Sequence, residues 1–304
     1  MSTRTSRREF LRRLSALGAL LPAVKLRAQE TLPTRAIPST GERLPVVGFG
    51  SSKAVMEIPT EGIEPVERVL RTLVGMGGRV VDTSPRAEAI DARFGPLLNL
   101  PELRDRLFIA AKINTNGRQA GIEQMRQMQR LFARRTLDLV QVESMRDLEA
   151  HWPNLRAWKE SGEARYIGVT VSSDAAHDRL EAFMRAETFD FVHMNYSVVE
   201  TRAEERLLPL AQDRGMAVLI NRPFMNGAYF ERVAGRPLPE WAAEFDCVSW
   251  AQFSLKYILS NPMVTCVLTE TTTPAHLEEN IRAGLGRLPD AATTRRMREL
   301  VRTL

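Results

Sequence analysis

The stretch Phe108-Ile109-Ala110-Ala111-Lys112 decides the fold, because four consecutive apolar residues end directly on a charged one. An unbroken apolar run of this kind indicates a strand that is buried on both faces, as in a parallel sheet covered by helices. Seven further runs occur at 46–49, 79–81, 137–142, 166–169, 191–194, 217–220 and 264–268. The sequence therefore predicts eight buried strands.

Segments with helical periodicity separate these runs. The first carries Val66, Val69, Leu70, Leu73 and Val74 on one face, and similar apolar stripes follow the later runs. Eight strand–helix units fit an α/β fold of the (β/α)8 TIM barrel type better than an open sheet. We also expect a short N-terminal β-hairpin at 37–44 and a C-terminal helix. A long loop at 224–247 either shapes a pocket or is an ordinary surface crossover.

Polar residues follow three successive predicted strands. Asp82, Lys112 and Glu143 each come directly after an apolar run, and a TIM barrel places its chemistry at the carboxyl ends of its strands. A lone polar residue there is usually a loop cap, and an Asp–Lys pair can be structural. Burying that pair beside a second carboxylate costs desolvation energy, however, so the grouping favours a functional site.

The first residues carry a different signal. Ser6-Arg7-Arg8-Glu9-Phe10-Leu11 precedes a mildly apolar run at 14–24 and a small-residue site at 26–28. Paired arginines before a short apolar stretch predict a twin-arginine signal peptide over 1–28, with a basic amphipathic helix as the alternative. We therefore expect a domain at 29–304 that folds in the cytoplasm, has the twin-arginine export machinery as a partner, and works in the periplasm or outside the cell.

Charge and composition exclude several classes of protein. The predicted signal holds seven basic residues and one acidic residue, so its removal changes the net charge from +5 to −1. The basic total is then no argument for nucleic-acid binding. We expect Cys247 and Cys266 as free thiols, and the four histidines lack the spacing of a metal site. No other apolar stretch has the length of a stable membrane span.

Several motifs together resemble the aldo-keto reductases. They are Leu44-Pro45-Val46-Val47-Gly48-Phe49-Gly50, Val81-Asp82-Thr83-Ser84-Pro85, Ile109-Ala110-Ala111-Lys112, Asp138-Leu139-Val140-Gln141-Val142, Arg165-Tyr166-Ile167-Gly168-Val169 and His276-Leu277-Glu278-Glu279-Asn280. The resemblance covers the chain from Thr34 onward. It implies a nicotinamide nucleotide lying across the barrel mouth, and an Asp, Tyr, Lys, His tetrad that protonates a substrate carbonyl as hydride arrives.

The resemblance assigns only half of that tetrad to this chain. Asp82 matches the aspartate and Lys112 the lysine, but Ala87 stands where the family has its tyrosine and Glu143 where it has histidine. The steroid double-bond reductases of the family also have glutamate at this position, although they keep the tyrosine. The catalytic candidates are therefore Asp82, Lys112 and Glu143.

The resemblance also aligns the positions that would hold the nucleotide. Glu270 stands for the lysine that faces the 2′-phosphate of NADP(H), and His276 for an assisting arginine. A carboxylate repels this phosphate but accepts hydrogen bonds from a free ribose hydroxyl, so we expect NAD(H) to be favoured over NADP(H). The cofactor-binding candidates are Gly50, Ser51, Thr170, His193, Asn221, Arg222, Glu270, Thr271, Glu279 and Asn280.

The contacts to the nicotinamide ring depart furthest from the family. Thr170 replaces a serine, Val171 an asparagine and His193 a glutamine that hold the carboxamide, and Asn221 replaces the stacking aromatic. Three hypotheses remain open. The chain is an oxidoreductase in which Glu143 donates the proton, a pseudoenzyme that binds a small ligand or a protein, or a sugar-binding or isomerase barrel that uses Asp82 and Glu143 as a carboxylate pair.

Overall fold

The computed structural model describes residues 31–304, so the predicted signal peptide at 1–28 lies outside the described residues. Two short strands, β1 (Thr34–Ala36) and β2 (Arg43–Pro45), form a hairpin. Eight parallel strands then close into a barrel in chain order. They are β3 (Val47–Gly50), β4 (Val80–Asp82), β5 (Phe108–Ile113), β6 (Leu137–Val142), β7 (Ala164–Thr170), β8 (Phe191–Asn195), β9 (Ala217–Asn221) and β10 (Cys266–Glu270). The predicted (β/α)8 barrel is confirmed.

Helices cover the outside of this barrel. They are α1 (Ser52–Met56), α2 (Ile58–Glu61), α3 (Glu64–Gly75), α4 (Glu88–Phe94), α5 (Pro101–Arg104), α6 (Arg118–Leu131), α7 (Leu148–Glu160), α8 (His177–Ala186), α9 (Leu207–Asp213), α10 (Ala228–Val233), α11 (Trp250–Ser260), α12 (Pro274–Arg282) and the predicted C-terminal helix α13 (Ala291–Thr303). The apolar stripe of α3 is buried as its periodicity predicts.

The hairpin closes the amino-terminal end of the barrel. Ile37 and Leu44 are fully buried and pack with side chains of the barrel interior. The hairpin was expected at 37–44, but its strands flank most of that segment, and Ile37 N donates to Glu42 O at 2.7 Å within the turn. The difference arises because Ile37 packs into the end of the barrel, while Leu44 forms its backbone pair with Arg35.

Inside the barrel the side chains change from apolar to polar toward the carboxyl ends of the strands. The apolar layer includes Val80, Ala110, Leu139, Phe191 and Leu219. Two positions further along, on the same face of each strand, stand Asp82, Lys112, Gln141, His193 and Asn221. Most of the barrel strands therefore run one or two residues past the predicted ends, since these polar residues keep the backbone ladder while their side chains face the interior.

The segment 224–247 is more ordered than expected. It contains α10 and the 3₁₀ turn Glu240–Phe245, so the prediction of one continuous loop was wrong. Tyr229 and Phe245 are buried and attach this segment to the barrel. Cys247 and Cys266 are buried free thiols, as predicted. No helix within residues 31–304 has both the length and the apolarity needed to cross a bilayer.

Candidate active site

Three buried side chains meet inside the carboxyl end of the barrel, which we call the mouth. Lys112 Nζ donates to Asp82 Oδ2 at 2.5 Å, and His193 Nδ1 lies 3.8 Å from Asp82 Oδ1. Each of the three residues is at most 6% exposed. Asp82 and Lys112 meet because β4 and β5 are neighbours in the barrel, as the sequence predicts, whereas His193 reaches them from β8.

His193 is uncharged at neutral pH. Burial lowers the pKa of His193 to about 4, and Lys112 adds to this effect while Asp82 opposes it. A neutral imidazole has one ring nitrogen that donates and one that accepts. Neither ring nitrogen of His193 has a hydrogen-bond partner among residues 31–304. His193 can therefore serve a ligand both as a donor and as an acceptor.

Other buried polar atoms near the mouth also lack partners in the described part of the chain. They are Asp82 Oδ1, both side-chain amide atoms of Gln141, and Asn221 Oδ1. Gln141 stands beside Lys112 in the register of β5 and β6. An unpaired buried polar group costs about 1–3 kcal/mol, so native proteins keep few of them without a reason. Their concentration here provides hydrogen-bonding capacity for a polar ligand.

Glu143 is placed by a different partner. It follows β6 and begins the 3₁₀ turn Glu143–Met145. Its Oε2 accepts a hydrogen bond from Ser84 Oγ at 2.6 Å, whereas the ammonium of Lys112 bonds to Asp82. The loop after β4 thus holds Glu143 through Ser84, a contact that sequence reasoning did not find.

Arg86 is the main functional candidate that sequence reasoning missed. Its NH1 donates to Thr83 Oγ1 at 3.1 Å and to the Ser84 carbonyl at 2.7 Å, and its NH2 reaches Ser51 Oγ at 3.4 Å. Its side chain is only 7% exposed and lies 3.7 Å from Asp91. An arginine directly after a strand-end Asp-Thr-Ser-Pro was the available signal, but a loop side chain has no periodicity to show where it points.

The charge of Arg86 is close to all the carboxylates of this region. Burial lowers the pKa of the guanidinium, while Asp91, Asp82 and Glu143 raise it. Burial likewise raises the pKa of Asp91, against the hydrogen bond and the charge of Arg86. The cations Arg86 and Lys112 are thus grouped with the carboxylates Asp82, Asp91 and Glu143 on this side of the mouth.

The tyrosines bond to residues outside the group of Asp82, Lys112 and His193. Ala87 is exposed and directly precedes α4. Tyr166 OH bonds to Glu42 at the opposite end of the barrel, Tyr196 and Tyr257 bond to Glu204, and Tyr229 bonds to the Trp250 carbonyl. These are all four tyrosines of the chain, so each tyrosine hydroxyl has a hydrogen-bond partner other than Asp82, Lys112 or His193.

The residues aligned with the carboxamide and stacking positions lie together. Thr170 and Val171 end and follow β7, and both are buried. Asn221 Nδ2 donates to the Val171 carbonyl at 2.8 Å, which leaves Asn221 Oδ1 as the unpartnered acceptor. Arg222 follows and lies 3.6 Å from Glu200. Thr170 ends β7 and Asn221 ends β9, and His193 lies in β8 between these two strands, paired with Thr170.

Glu270 occupies the other side of the mouth. Gly50 pairs with Asp82 on one side and with Glu270 on the other, and Ser51 is fully buried. The exposed carboxylate of Glu270 accepts a hydrogen bond from the backbone N–H of Lys53 in the first turn of α1. Glu270 therefore already caps a helix, in addition to any role toward a nucleotide.

The remaining cofactor candidates lie around α12. Thr271 Oγ1 accepts from Thr273 N at 3.1 Å just before this helix begins. Asn280 is 4% exposed, and the Glu279 carbonyl accepts from the side chain of Gln252 at 3.3 Å. Glu279 and Asn280 thus sit on one element that starts directly after β10.

Backbone strain is concentrated at the mouth. Eight non-glycine residues of 31–304 have positive φ, and six of them lie in two loops, namely Ser144, Met145 and Asp147 after β6 and Arg222, Met225 and Asn226 after β9. Each left-handed residue of this kind costs about 1–3 kcal/mol and is retained where the surroundings impose it, often at functional sites. The strained loops follow Glu143 and Asn221.

Comparison with known proteins gives one family. The family model described as "Aldo/keto reductase family" matches residues 63–300. Among solved structures, the holo form of an aldo-keto reductase from Bacillus halodurans is 18% identical, covers 89% of this chain and 96% of its own, and has a TM-score of 0.71. An aldo-keto reductase from Klebsiella pneumoniae in complex with NADPH is 16% identical, with 90% and 96% covered and a TM-score of 0.70. These structures share the fold.

A curated relative matches over a shorter region. It is an NADH-specific methylglyoxal reductase from Escherichia coli, 25% identical over 176 residues, or 49% of this chain and 52% of the relative. The chain thus spans about half the length of this relative.

Proposed function

This chain belongs to the aldo-keto reductase family, and from that premise we propose that it is an oxidoreductase that reduces the carbonyl group of a small molecule with a nicotinamide nucleotide. The observation that carries the proposal is the buried Asp82–Lys112 ion pair at 2.5 Å, with neutral His193 beside it. An ammonium held in a dry mouth stabilises negative charge on a substrate oxygen more strongly than it does in water.

The residues at the mouth fit the nicotinamide group. A carboxamide carries donors and an acceptor, and the unpartnered atoms of His193 and Asn221 complement both. When bound, the reduced nicotinamide supplies the hydride for the carbonyl carbon. The start of α12, beside Thr271, favours the negative pyrophosphate, and Glu279 and Asn280 stand on the same helix for the adenine.

Glu143 is the proposed proton donor, in place of the tyrosine that Ala87 replaces. Its carboxyl group, held by Ser84, gives its proton to the carbonyl oxygen as the carbon is reduced, and Lys112 stabilises the developing charge. Asp82 positions the ammonium of Lys112. In this proposal Glu143 donates the proton, Lys112 stabilises the developing negative charge, and Asp82 positions Lys112.

Substitution of Glu143 tests this role. We expect Glu143→Gln to lower kcat by about 10²–10⁴, the usual value of general acid catalysis, while the protein stays folded by circular dichroism. The double variant Ala87→Tyr/Glu143→His restores the family pattern, and its kcat should be comparable to that of the native protein. A native rate that is insensitive to Glu143→Gln would contradict the role of Glu143 as the acid.

A pseudoenzyme is the second candidate. It is favoured by one observation, namely that all four tyrosines are engaged away from the mouth while Ala87 is exposed. Purification of folded protein from the cytoplasm, followed by absorbance and mass measurement of any bound nucleotide, separates the candidates. Bound nucleotide without turnover of any carbonyl supports the pseudoenzyme, and turnover supports the reductase.

NAD(H) is the proposed cofactor in preference to NADP(H). The carboxylate of Glu270 stands where the family resemblance places the lysine that faces the 2′-phosphate of NADP(H). A carboxylate there would repel this phosphate by about 1–4 kcal/mol at surface-like dielectric. The name of the curated relative points to NADH, whereas the Klebsiella structure contains NADPH. Nucleotide choice therefore rests on this chain's own residues.

Export by the twin-arginine route completes the proposal. The pair Arg7-Arg8 and the short apolar run after it support a periplasmic or exported enzyme that folds before transport. We expect the double change of Arg7 and Arg8 to Lys to leave a folded precursor in the cytoplasm, measured by cell fractionation. Unchanged secretion of this variant would refute the assigned location.

A further inference from the structure

The guanidinium of Arg86 is held mainly through NH1, whereas the edge formed by Nε and NH2, which we call the free edge, makes only one long contact. Its NH1 is fixed by Thr83 Oγ1 and the Ser84 carbonyl, and its NH2 makes a single long contact of 3.4 Å to Ser51 Oγ. No hydrogen bond within the described chain uses Nε. Nε and NH2 lie on the same edge of the planar group, and NH2 carries two hydrogens. The Nε–H and one hydrogen of NH2 therefore remain as donors for a ligand.

The nearest carboxylate does not use this edge. Asp91 lies 3.7 Å from NH1, beyond hydrogen-bond distance, and its Oδ2 accepts instead from the backbone N–H of Arg86 at 2.7 Å. The guanidinium is therefore a buried cation without a bidentate carboxylate partner. Burial lowers its pKa in spite of the carboxylates nearby, so an anion placed against the free edge would stabilise the charge.

We infer that Arg86 is the anion-binding group of the mouth, and that the substrate is a carbonyl compound with a carboxylate beside the carbonyl, that is, a 2-oxo acid. The planar guanidinium binds a carboxylate through two parallel hydrogen bonds. Arg86 is fixed to Ser84, and Ser84 also holds Glu143. Ser84 thus links Arg86 to the proposed proton donor, and we expect a carboxylate bound to Arg86 to place its adjacent carbonyl near Glu143.

Three carboxylates near Arg86 bear on such a substrate, and Asp91 already faces Arg86 itself through the backbone N–H and NH1. The charge of Asp82 is offset by Lys112 at 2.5 Å. Glu143 repels an anion only when it is ionised, and the proposed function, on which this inference rests, has it protonated.

Equilibrium binding tests the inference without turnover. Oxamate has nearly the same shape as a small 2-oxo acid in its carboxylate form, and oxamide has that of the corresponding amide, so the two ligands differ mainly in that oxamate is anionic. Calorimetric titration of the native protein, with and without NAD⁺, should show oxamate binding about 10- to 100-fold tighter than oxamide, as expected for charge-assisted hydrogen bonds. Equal binding of the two, or no binding of oxamate, overturns the inference.

Variants of Arg86 test whether this residue causes the preference for oxamate over oxamide. Arg86→Met should abolish the difference between the two ligands, and Arg86→Lys should retain part of it because the charge stays while the fork is lost. Arg93→Met is the matched control on α4. Within residues 31–304 the side chain of Arg93 bonds to the Ile58 carbonyl at 3.1 Å and to no other group, so this variant should keep the full preference. If Arg86→Met does not fold, the native ligand pair and Arg86→Lys still decide.

Turnover separates this inference from the proposed function. Pyruvate and pyruvamide are the reducible pair, and kcat/KM is measured for both with NADH. Reduction of both at equal rates upholds the reductase and overturns the role of Arg86. Arg86-dependent binding of oxamate without reduction of any carbonyl upholds the anion site and refutes the reductase.

Discussion

The two ends of the barrel treat their carboxylates in opposite ways. At the amino-terminal end, Glu42 accepts from Arg79 at 2.8 Å and from Tyr166 OH at 2.8 Å. Asp138 accepts from Arg165 at 2.7 Å and from Ile109 N at 2.9 Å. Both oxygens of each are used. At the mouth, Asp82 uses one oxygen and leaves the other buried without a partner among the described residues.

This difference separates stability from function. A fully bonded carboxylate contributes to holding the fold, whereas an unsatisfied one costs free energy and is retained where a ligand uses it. The hairpin end is accordingly closed by Ile37 and Leu44, and the mouth carries the strained loops after β6 and β9. Substitutions at the hairpin end should therefore change stability and leave activity unchanged, whereas those at the mouth should change activity whether or not they also change stability.

The largest expected effect is that of Lys112. Lys112→Met should lower kcat/KM for carbonyl reduction by about 10²–10⁴, because both charge stabilisation and proton handling are disturbed. Since it leaves Asp82 as an unpaired buried charge, the variant is also made in an Asp82→Asn background. Arg165→Met at the hairpin end is the control and should leave the rate unchanged. A normal rate in Lys112→Met would place the active centre elsewhere.

The next effect is on stability in acid and comes from His193. Its folded pKa of about 4 lies below the ordinary value near 6.5, so the unfolded chain binds the proton more strongly between these values. Stability is therefore complete above pH 6.5 and falls as the pH drops toward 4, by about 3 kcal/mol. His193→Gln should remove this loss, measured by urea unfolding at pH 7.5 and 4.5. An unchanged loss would mean that His193 is not the group responsible.

Glu42 should affect stability at a lower pH than His193 does, and it should have no effect on kcat/KM. Burial raises its pKa, but Tyr166, Arg165 and Arg79 outweigh this and leave the pKa below its ordinary value. Its contribution is present above about pH 4.3 and is lost as the pH falls through the folded pKa. Glu42→Gln should cost about 2 kcal/mol of stability at pH 7, as for lost charge-assisted hydrogen bonds, with kcat/KM unchanged. A changed kcat/KM would break the separation of the two ends.

The fold was predictable because periodicity acts on many residues at once. Eight apolar runs gave the strands, and the contact between Asp82 and Lys112 followed from the adjacency of β4 and β5. The strand ends were less predictable, since Asp82, Lys112 and Asn221 are polar yet remain in the ladder. A polar residue after an apolar run can therefore either belong to a loop or remain in the strand with its side chain in the polar part of the barrel interior.

The side-chain partners at the mouth were not predictable in the same way. The hydrogen bond from Ser84 to Glu143 and the anchoring of Arg86 depend on the path of the loop after β4, and no sequence period fixes such a path. The positive φ values at Ser144 and Met145 are likewise imposed by the surroundings rather than by residue type. The conformation of the loop after β4 therefore determines the hydrogen-bond partners of Glu143 and Arg86.

The smallest expected effect lies at the edge of the mouth, at Glu270. Glu270→Lys should shift the ratio of the dissociation constants by about tenfold toward NADPH, equal to about 1.4 kcal/mol, in fluorescence titrations with NADPH and NADH. Glu278→Lys makes the same change of charge on the exposed part of α12, and salt screens its longer range, so it should shift the ratio much less. Because Glu270 also caps α1 through Lys53 N, Glu270→Gln, which keeps an acceptor, separates helix capping from charge. Tighter binding of NADPH than NADH to the native protein, or equal shifts from Glu270→Lys and Glu278→Lys, would refute the role of Glu270.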